Sequence, residues 1–167
     1  MRPSEDMGNM TAEFTFEDMS RPLYMEVAWG CLQREGMGDV VLCKRGATLD
    51  DWFANLEDKD GAGLYGIIHD GTARGLIWVQ DGINGIPFIH FAFFRHDKHM
   101  WKEMGFAALN FTATLYGSDA VLALWPVKYR HLNAPVQAWG FEPMGILPGG
   151  CILHGRKCDA KMAIWRK

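Results

Sequence analysis

The sequence predicts a fold of the α/β (α+β) class, with a mixed, mostly antiparallel central sheet and flanking helices. Three observations carry that expectation. Residues 64–95 contain three apolar runs separated by tight-turn residues, the pattern of an antiparallel meander. A long helical stretch at 99–116 lies between two buried apolar runs, so it acts as a crossover and makes those two strands parallel neighbours. Helix and strand periodicities alternate from Thr11 to Lys167 with no internal repeat and no second domain, which predicts one domain over 1–167.

Element by element, residues 1–11 are polar and are expected to form a flexible N-terminal segment. Thr11–Asp18 alternates, with Ala12, Phe14 and Phe16 on one side, as a half-buried strand does. Ser20 is placed to cap a helix with Pro22 in its first turn and an apolar face of Leu23, Val27, Trp29, Cys31 and Leu32, ending at Gly36. Val40–Cys43 reads as a short strand or an extended linker. Thr48 suits the N-cap of a second helix, whose first turn carries Asp50 and Asp51. A loop follows at 57–63.

Leu64–His69 and Thr72–Gln80 flank Asp70-Gly71, a pair suited to the positive φ angles of a type I′ hairpin turn. A second turn at Asp81–Gly85 leads to Ile86–Arg95, whose nearly continuous apolar residues predict a strand covered on both faces, with Pro87 at its start. His99–Tyr116 is the long helix, with Trp101, Met104, Ala108, Phe111 and Leu115 at helical spacing and Gly117 as its stop. Ala120–Trp125 is a short buried strand. Lys128–Trp139 has a helical pattern in which Pro135 must sit in a first turn or cause a kink. Phe141–Leu147 and Asp159–Arg166 are the last two strands.

Composition narrows the function classes. With 49% apolar and 22% charged residues the chain is neither disordered nor fibrous. No apolar stretch approaches the roughly 18 residues that span a bilayer, and the first 20 residues are too polar for a secretory leader, so a cytoplasmic protein with no membrane partner is expected. The four cysteines are then expected to be reduced. Charge is unevenly spread: residues 1–119 carry 10 Lys/Arg against 18 Asp/Glu, whereas residues 120–167 carry 7 against 2. That basic last part either faces an anion or is simply solvated. A pI near 6.0 argues against a nucleic-acid partner.

At the C-terminus, GFEPMG followed by GGCILHGRKCDAKMAIWRK resembles the Gly-Phe, strand, loop and Gly-x-x-x-Asp ending found in the GNAT superfamily of acyl-CoA N-acyltransferases. The element order is similar from Thr11 to Lys167. The resemblance implies that Ile86–Arg95 splays from Ala120–Trp125, and that acetyl-CoA, as cosubstrate, lays its pantetheine arm in the gap on free backbone groups of Phe91, Ala92 and Phe93. It further implies an acetyl transfer to a primary amine, carried by a small molecule or by a protein N-terminus or lysine. The family's phosphate loop falls on Arg95-His96-Asp97-Lys98-His99-Met100. Arg95 is kept and the family's small residues are absent, so Arg95, Lys98, His99 and Met100 are the expected pyrophosphate contacts, with Asp97 opposing them. The positions that match the family's Asn and its general-acid Tyr hold Tyr129 and Val136.

Two residues are expected to be catalytic. His90, the polar side chain inside IPFIHFAFF, is suited to accept the amine proton at neutral pH, unless it is a hydrogen-bonded core histidine. Tyr129 is suited to return a proton to the thiolate, unless it is a partly exposed tyrosine at a helix start. No metal is expected, since Cys151-x-x-His154-x-x-x-Cys158 supplies three ligands where a closed zinc site needs four. Small phage-encoded proteins with GNAT-like folds are similar in their altered phosphate loops. A GNAT-shaped binding or assembly module, such as a phage accessory protein, is therefore the second reading, and homo-oligomerisation is left open.

Overall fold

The computed structural model describes residues 13–57 and 63–167. The expected flexible segment 1–11, the first residues of the alternating run (Thr11 and Ala12) and most of the loop at 57–63 lie outside the described residues. Among the described residues, strands β1 (Thr15–Asp18), β2 (Gly63–His69), β3 (Thr72–Ile83), β4 (Ile86–Phe93), β5 (Ala120–Pro126), β6 (Glu142–Leu153) and β7 (Arg156–Arg166) form one sheet in the order β1-β2-β3-β4-β5-β7-β6. All neighbours are antiparallel except β4 and β5, which the crossover helix makes parallel. The helices are α1 (Pro22–Arg34), α2 (Gly38–Val41), α3 (Leu49–Glu57), α4 (Trp101–Tyr116) and α5 (Asn133–Ala138).

Turn chemistry fixes the register beside each hairpin turn, and bulges between Ile67 and Ile68 and between Gln80 and Ile83 shift it further along the strands. Asp70 and Gly71 take φ values of 50° and 70°, the two positive angles of a type I′ turn. Asn84-Gly85 and His154-Gly155 do the same at the β3–β4 and β6–β7 turns. β3 consequently runs past the expected second turn, to Ile83. The last two strands also meet in a long hairpin where the sequence suggested a loop, so Cys151 and Cys158 stand directly opposite each other.

Alternation along the strands builds two cores. On one face, Ile77, Val79, Ile89, Phe93, Val121 and Ala123 pack against Met104, Ala108 and Leu109 of α4. On the other, Leu64, Leu76, Trp78 and Ala92 meet Ala28, Trp29 and Leu32 of α1 and the fully buried Trp52 of α3. The α1 face is therefore displaced from the expected one. Leu23 and Val27 are exposed, because Met25, Ala28, Trp29 and Leu32 form the i, i+3, i+4 stripe that fits the sheet. Ser20 is not the cap; Arg21 holds that position and Pro22 opens the helix. Thr48 does cap α3, its Oγ1 accepting the Asp51 N–H at 3.3 Å while Asp51 Oδ2 accepts the Thr48 N–H at 2.9 Å. Val40 and Val41 belong to the short helix α2 rather than to a strand.

α4 starts at Trp101, preceded by a 3₁₀ turn over Arg95–Met100. Its Gly105 lies under the indole of Trp139, whose Nε1 donates to the Trp101 carbonyl at 3.0 Å. A Cβ at 105 would collide with that indole. Alanine gains about 1 kcal/mol of helix propensity over glycine, but forced overpacking costs about 1–3 kcal/mol. Gly105→Ala is therefore expected to lower the urea midpoint, and an unchanged or raised midpoint would show that Trp139 moves aside freely.

β6 is an outer edge of the sheet. Its pairing with β7 breaks register between Pro143 and Gly145 and again between Leu147 and Cys151, and Met144, Ile146 and Ile152 are exposed on it.

Candidate active site in the opened sheet

β4 and β5 share a single ladder pair, Phe88 with Leu122, near their N-terminal ends. Beyond that pair the strands continue to Phe93 and Pro126 unpaired with each other, so the sheet opens. The direction of the freed backbone groups follows from the β3 ladder. Phe94 N–H donates to the Arg74 carbonyl at 3.0 Å, so by strict alternation Ala92 and His90 also bond towards β3. Phe91 and Phe93 then point their amides into the opening. Ala92 does not, and its side chain packs in the core against α1 and α3; of the three backbone donors expected there, two are positioned for the gap.

A cavity of about 200 Å³ occupies this opening and passes from one face of the sheet to the other. Met37, Val40, Val41, Trp78, His90 and Leu124 line it on the α1–α2 side, and Phe91, Phe93, Trp101, Val136 and Trp139 on the α4–α5 side. His90 is thus at the cavity wall. Its ring lies parallel to the indole of Trp78, its cross-strand partner, at 5.4 Å between centroids. Tyr129 lines the cavity as well, next to the exposed His131. Burial, followed by the neighbouring Cys43, pushes the Tyr129 phenol far above its ordinary range. The phenol therefore holds its proton at neutral pH. Burial also pushes up the Cys43 thiol, and the Cys151 thiol to about 11, so neither is a ready nucleophile.

The expected phosphate contacts lie apart from this cavity. Arg95, Lys98, His99 and Met100 all belong to the 3₁₀ turn, and none of them lines it. Met100 packs towards the α4 core, and Lys98 places its Nζ 5.9 Å from the ring of Trp101. The Arg95 amide donates to Glu35 Oε2 at 2.9 Å, and His96 Nε2 is 3.5 Å from the other oxygen of that carboxylate. Asp97 does not oppose an anion here. It is buried beneath the turn, where Arg74 Nη1 bonds its Oδ1 at 2.9 Å. Asn133 accepts from Trp125 Nε1 and Lys161 Nζ at 3.3 and 3.0 Å, which fixes the start of α5.

No protein-family model matches the sequence, and no curated protein does. Solved structures do match in shape. A probable acetyltransferase of the GNAT family from Chromobacterium violaceum superposes with a TM-score of 0.74 over 99% of this chain and 96% of that one, at 15% identity. The chain has the GNAT acetyltransferase fold. The Salmonella typhimurium acetyltransferase that modifies the N-terminal serine of ribosomal protein L7/L12 shares the GNAT fold at TM-score 0.71, with 13% identity and coverages of 92% and 95%. So does the Vibrio cholerae spermidine N-acetyltransferase, solved with CoA and spermine, at 0.69, 11%, 92% and 95%.

Sequence reasoning singled out His90, Tyr129 and β4. It missed the α2 wall, Met37, Val40 and Val41, and also Cys43 and Trp78, because they come from remote segments whose apolar residues read as ordinary core. The turn at Asn84-Gly85 does not by itself reveal Trp78, because a bulge between Gln80 and Ile83 shifts the register by one residue and so brings Trp78 opposite His90.

Proposed function

We propose that the protein is an acyl-CoA-dependent N-acetyltransferase that acts on a primary amine by direct attack. The observation that carries this reading is the cavity through the β4–β5 opening, with two backbone amides aimed into it, in a chain of the GNAT fold. Acetyl-CoA supplies the activated acetyl group. The amides of Phe91 and Phe93 polarise its carbonyl oxygen, His90 takes the amine proton, and the Tyr129 phenol returns a proton to the departing thiolate. A nitrogen–carbon bond forms as the carbon–sulfur bond breaks. The acceptor enters from the α1–α2 side, where His90 and Trp78 form the wall. Neighbours of the same fold act on spermidine and on a protein N-terminus, which supports an amine acceptor.

Arg95 and Lys98 hold the pyrophosphate mainly by charge, with His99 and Met100 completing the turn beside it, since the turn has no glycine to cradle it. In calorimetry, acetyl-CoA is expected to bind, raised salt to weaken it, and Arg95→Ala with Lys98→Ala to weaken it about tenfold or more. A chain that binds no acetyl-CoA would leave the second reading, a GNAT-shaped binding or assembly module. That reading draws on the Arg95 amide already being engaged by Glu35.

A further inference from the structure

We propose that the acceptor amine carries an oxyanion, a phosphate or a carboxylate, held in a second cavity beside the first; this rests on the acetyltransferase reading above. That cavity, of about 920 Å³, is bounded by Leu42–Arg45, by Lys128 and by the β6–β7 turn. It shares Cys43 with the cavity in the opened sheet, and Lys128 directly precedes Tyr129, which lines that opening. An amine placed at His90 therefore trails its remaining atoms towards this second space.

The second cavity is cationic. Lys44, Arg45, Lys128, His154, Arg156 and Lys157 line it, and among the described residues no Asp or Glu does. Some of this charge is answered nearby. Lys44 pairs with Asp51 at 2.5 Å. Asp39, held below its usual range by the Ala47 and Gly46 amides, lies within electrostatic reach of His154 and Arg45. Lys128, Arg156 and Lys157 have no ion pair among the described residues.

The walls are pinned rather than loose. His154 N–H donates to the Cys43 carbonyl at 2.7 Å, Asp39 accepts from the Gly46 and Ala47 amides at 3.1 and 3.0 Å, and Val127 N–H bonds the Asp159 carbonyl at 2.9 Å. Three remote segments thus converge their cations on one concavity. A merely solvated surface intersperses both signs, because like charges gathered in a cleft repel one another. A cleft of one sign concentrates the opposite sign, so it attracts an anionic acceptor and repels a polyamine. The cosubstrate's own phosphates are assigned elsewhere, since the turn at 95–100 lines neither cavity.

The test measures acetylation of ethanolamine, phosphoethanolamine, β-alanine and spermidine by the full chain. Phosphoethanolamine or β-alanine is expected to exceed ethanolamine at least tenfold in kcat/KM, mainly through KM, with spermidine poorest; whichever of the two leads separates a phosphate site from a carboxylate site. In the doubly charge-reversed R156E/K157E protein, altered only at two exposed positions at the start of β7, that preference should fall to about one while acetyl-CoA affinity stays constant. Acetyl-CoA binding with no preference for the anionic amines overturns this inference alone. No acetyl-CoA binding overturns the acetyltransferase reading and this inference with it. A loss of acetyl-CoA affinity in the reversed variant assigns the cavity to the cosubstrate and also overturns it. Should acetyl-CoA bind and none of the four amines be turned over, calorimetry of the amines themselves decides: tighter binding of either anionic amine than of ethanolamine supports the inference, and equal or weaker binding rejects it.

Discussion

Replacing Arg74 with methionine is expected to lower the unfolding free energy by about 3–5 kcal/mol, the usual cost of removing one partner from a buried ion pair. The Asp97 carboxylate is 3% exposed and takes its bond from Arg74 Nη1 at 2.9 Å, so the substitution leaves a buried charge without its cation. The penalty is a large fraction of the 5–15 kcal/mol that holds a typical domain together. Removing both charges, as Arg74→Met with Asp97→Leu, should recover most of the loss, because an apolar replacement leaves nothing buried and unpaired. Urea midpoints at constant m-value measure this. A double variant as unstable as the single one would mean that the turn depends on packing by Arg74 rather than on the pair. The pair also ties the 95–100 turn to the start of β3, so in the single variant acetyl-CoA affinity should decline along with stability.

His90→Gln is expected to reduce acetylation turnover by about 10²-fold or more, while acetyl-CoA binding stays nearly constant. Glutamine keeps a flat polar group against Trp78 but accepts no proton at neutral pH, which separates proton transfer from packing. His131 provides the control. It lines the same cavity and is exposed, and its ring contacts Tyr129 at 5.4 Å between centroids, so His131→Gln should have a much smaller effect. A larger loss from His131→Gln than from His90→Gln would move the proton acceptor to position 131.

The sheet was legible in the sequence wherever one local rule governed it. The Asp70-Gly71 turn, the apolar run of β4 and the crossover from β4 to β5 each follow from residues adjacent in the chain. α1 was harder, since Leu23, Val27, Ala28 and Leu32 offer two overlapping stripes and only the facing sheet selects one. The long β6–β7 hairpin was hidden by Pro148, Gly149 and Gly150, which read as a loop and instead fall at a break in register. The candidate site was only partly legible for a related reason. His90 announces itself as a polar residue in an apolar strand, but the cationic walls come from positions 44–45, 128 and 154–157, and no periodicity links those three stretches. The excess of basic residues after position 120 was the visible trace of the last two, and nothing marked Lys44 and Arg45.

The irregular pairing of β6 also governs how these molecules behave towards one another when crowded. An outer strand with exposed Met144, Ile146 and Ile152 is the kind of template on which chains add edge to edge and aggregate. Stacking of that sort needs about six or seven residues in uninterrupted register. Here the longest unbroken runs against β7 are three residues, 145–147 and 151–153, and Pro143 and Pro148 have no N–H to offer an incoming strand. The bulged, proline-broken edge lets the apolar side chains stay on the surface without seeding a fibril.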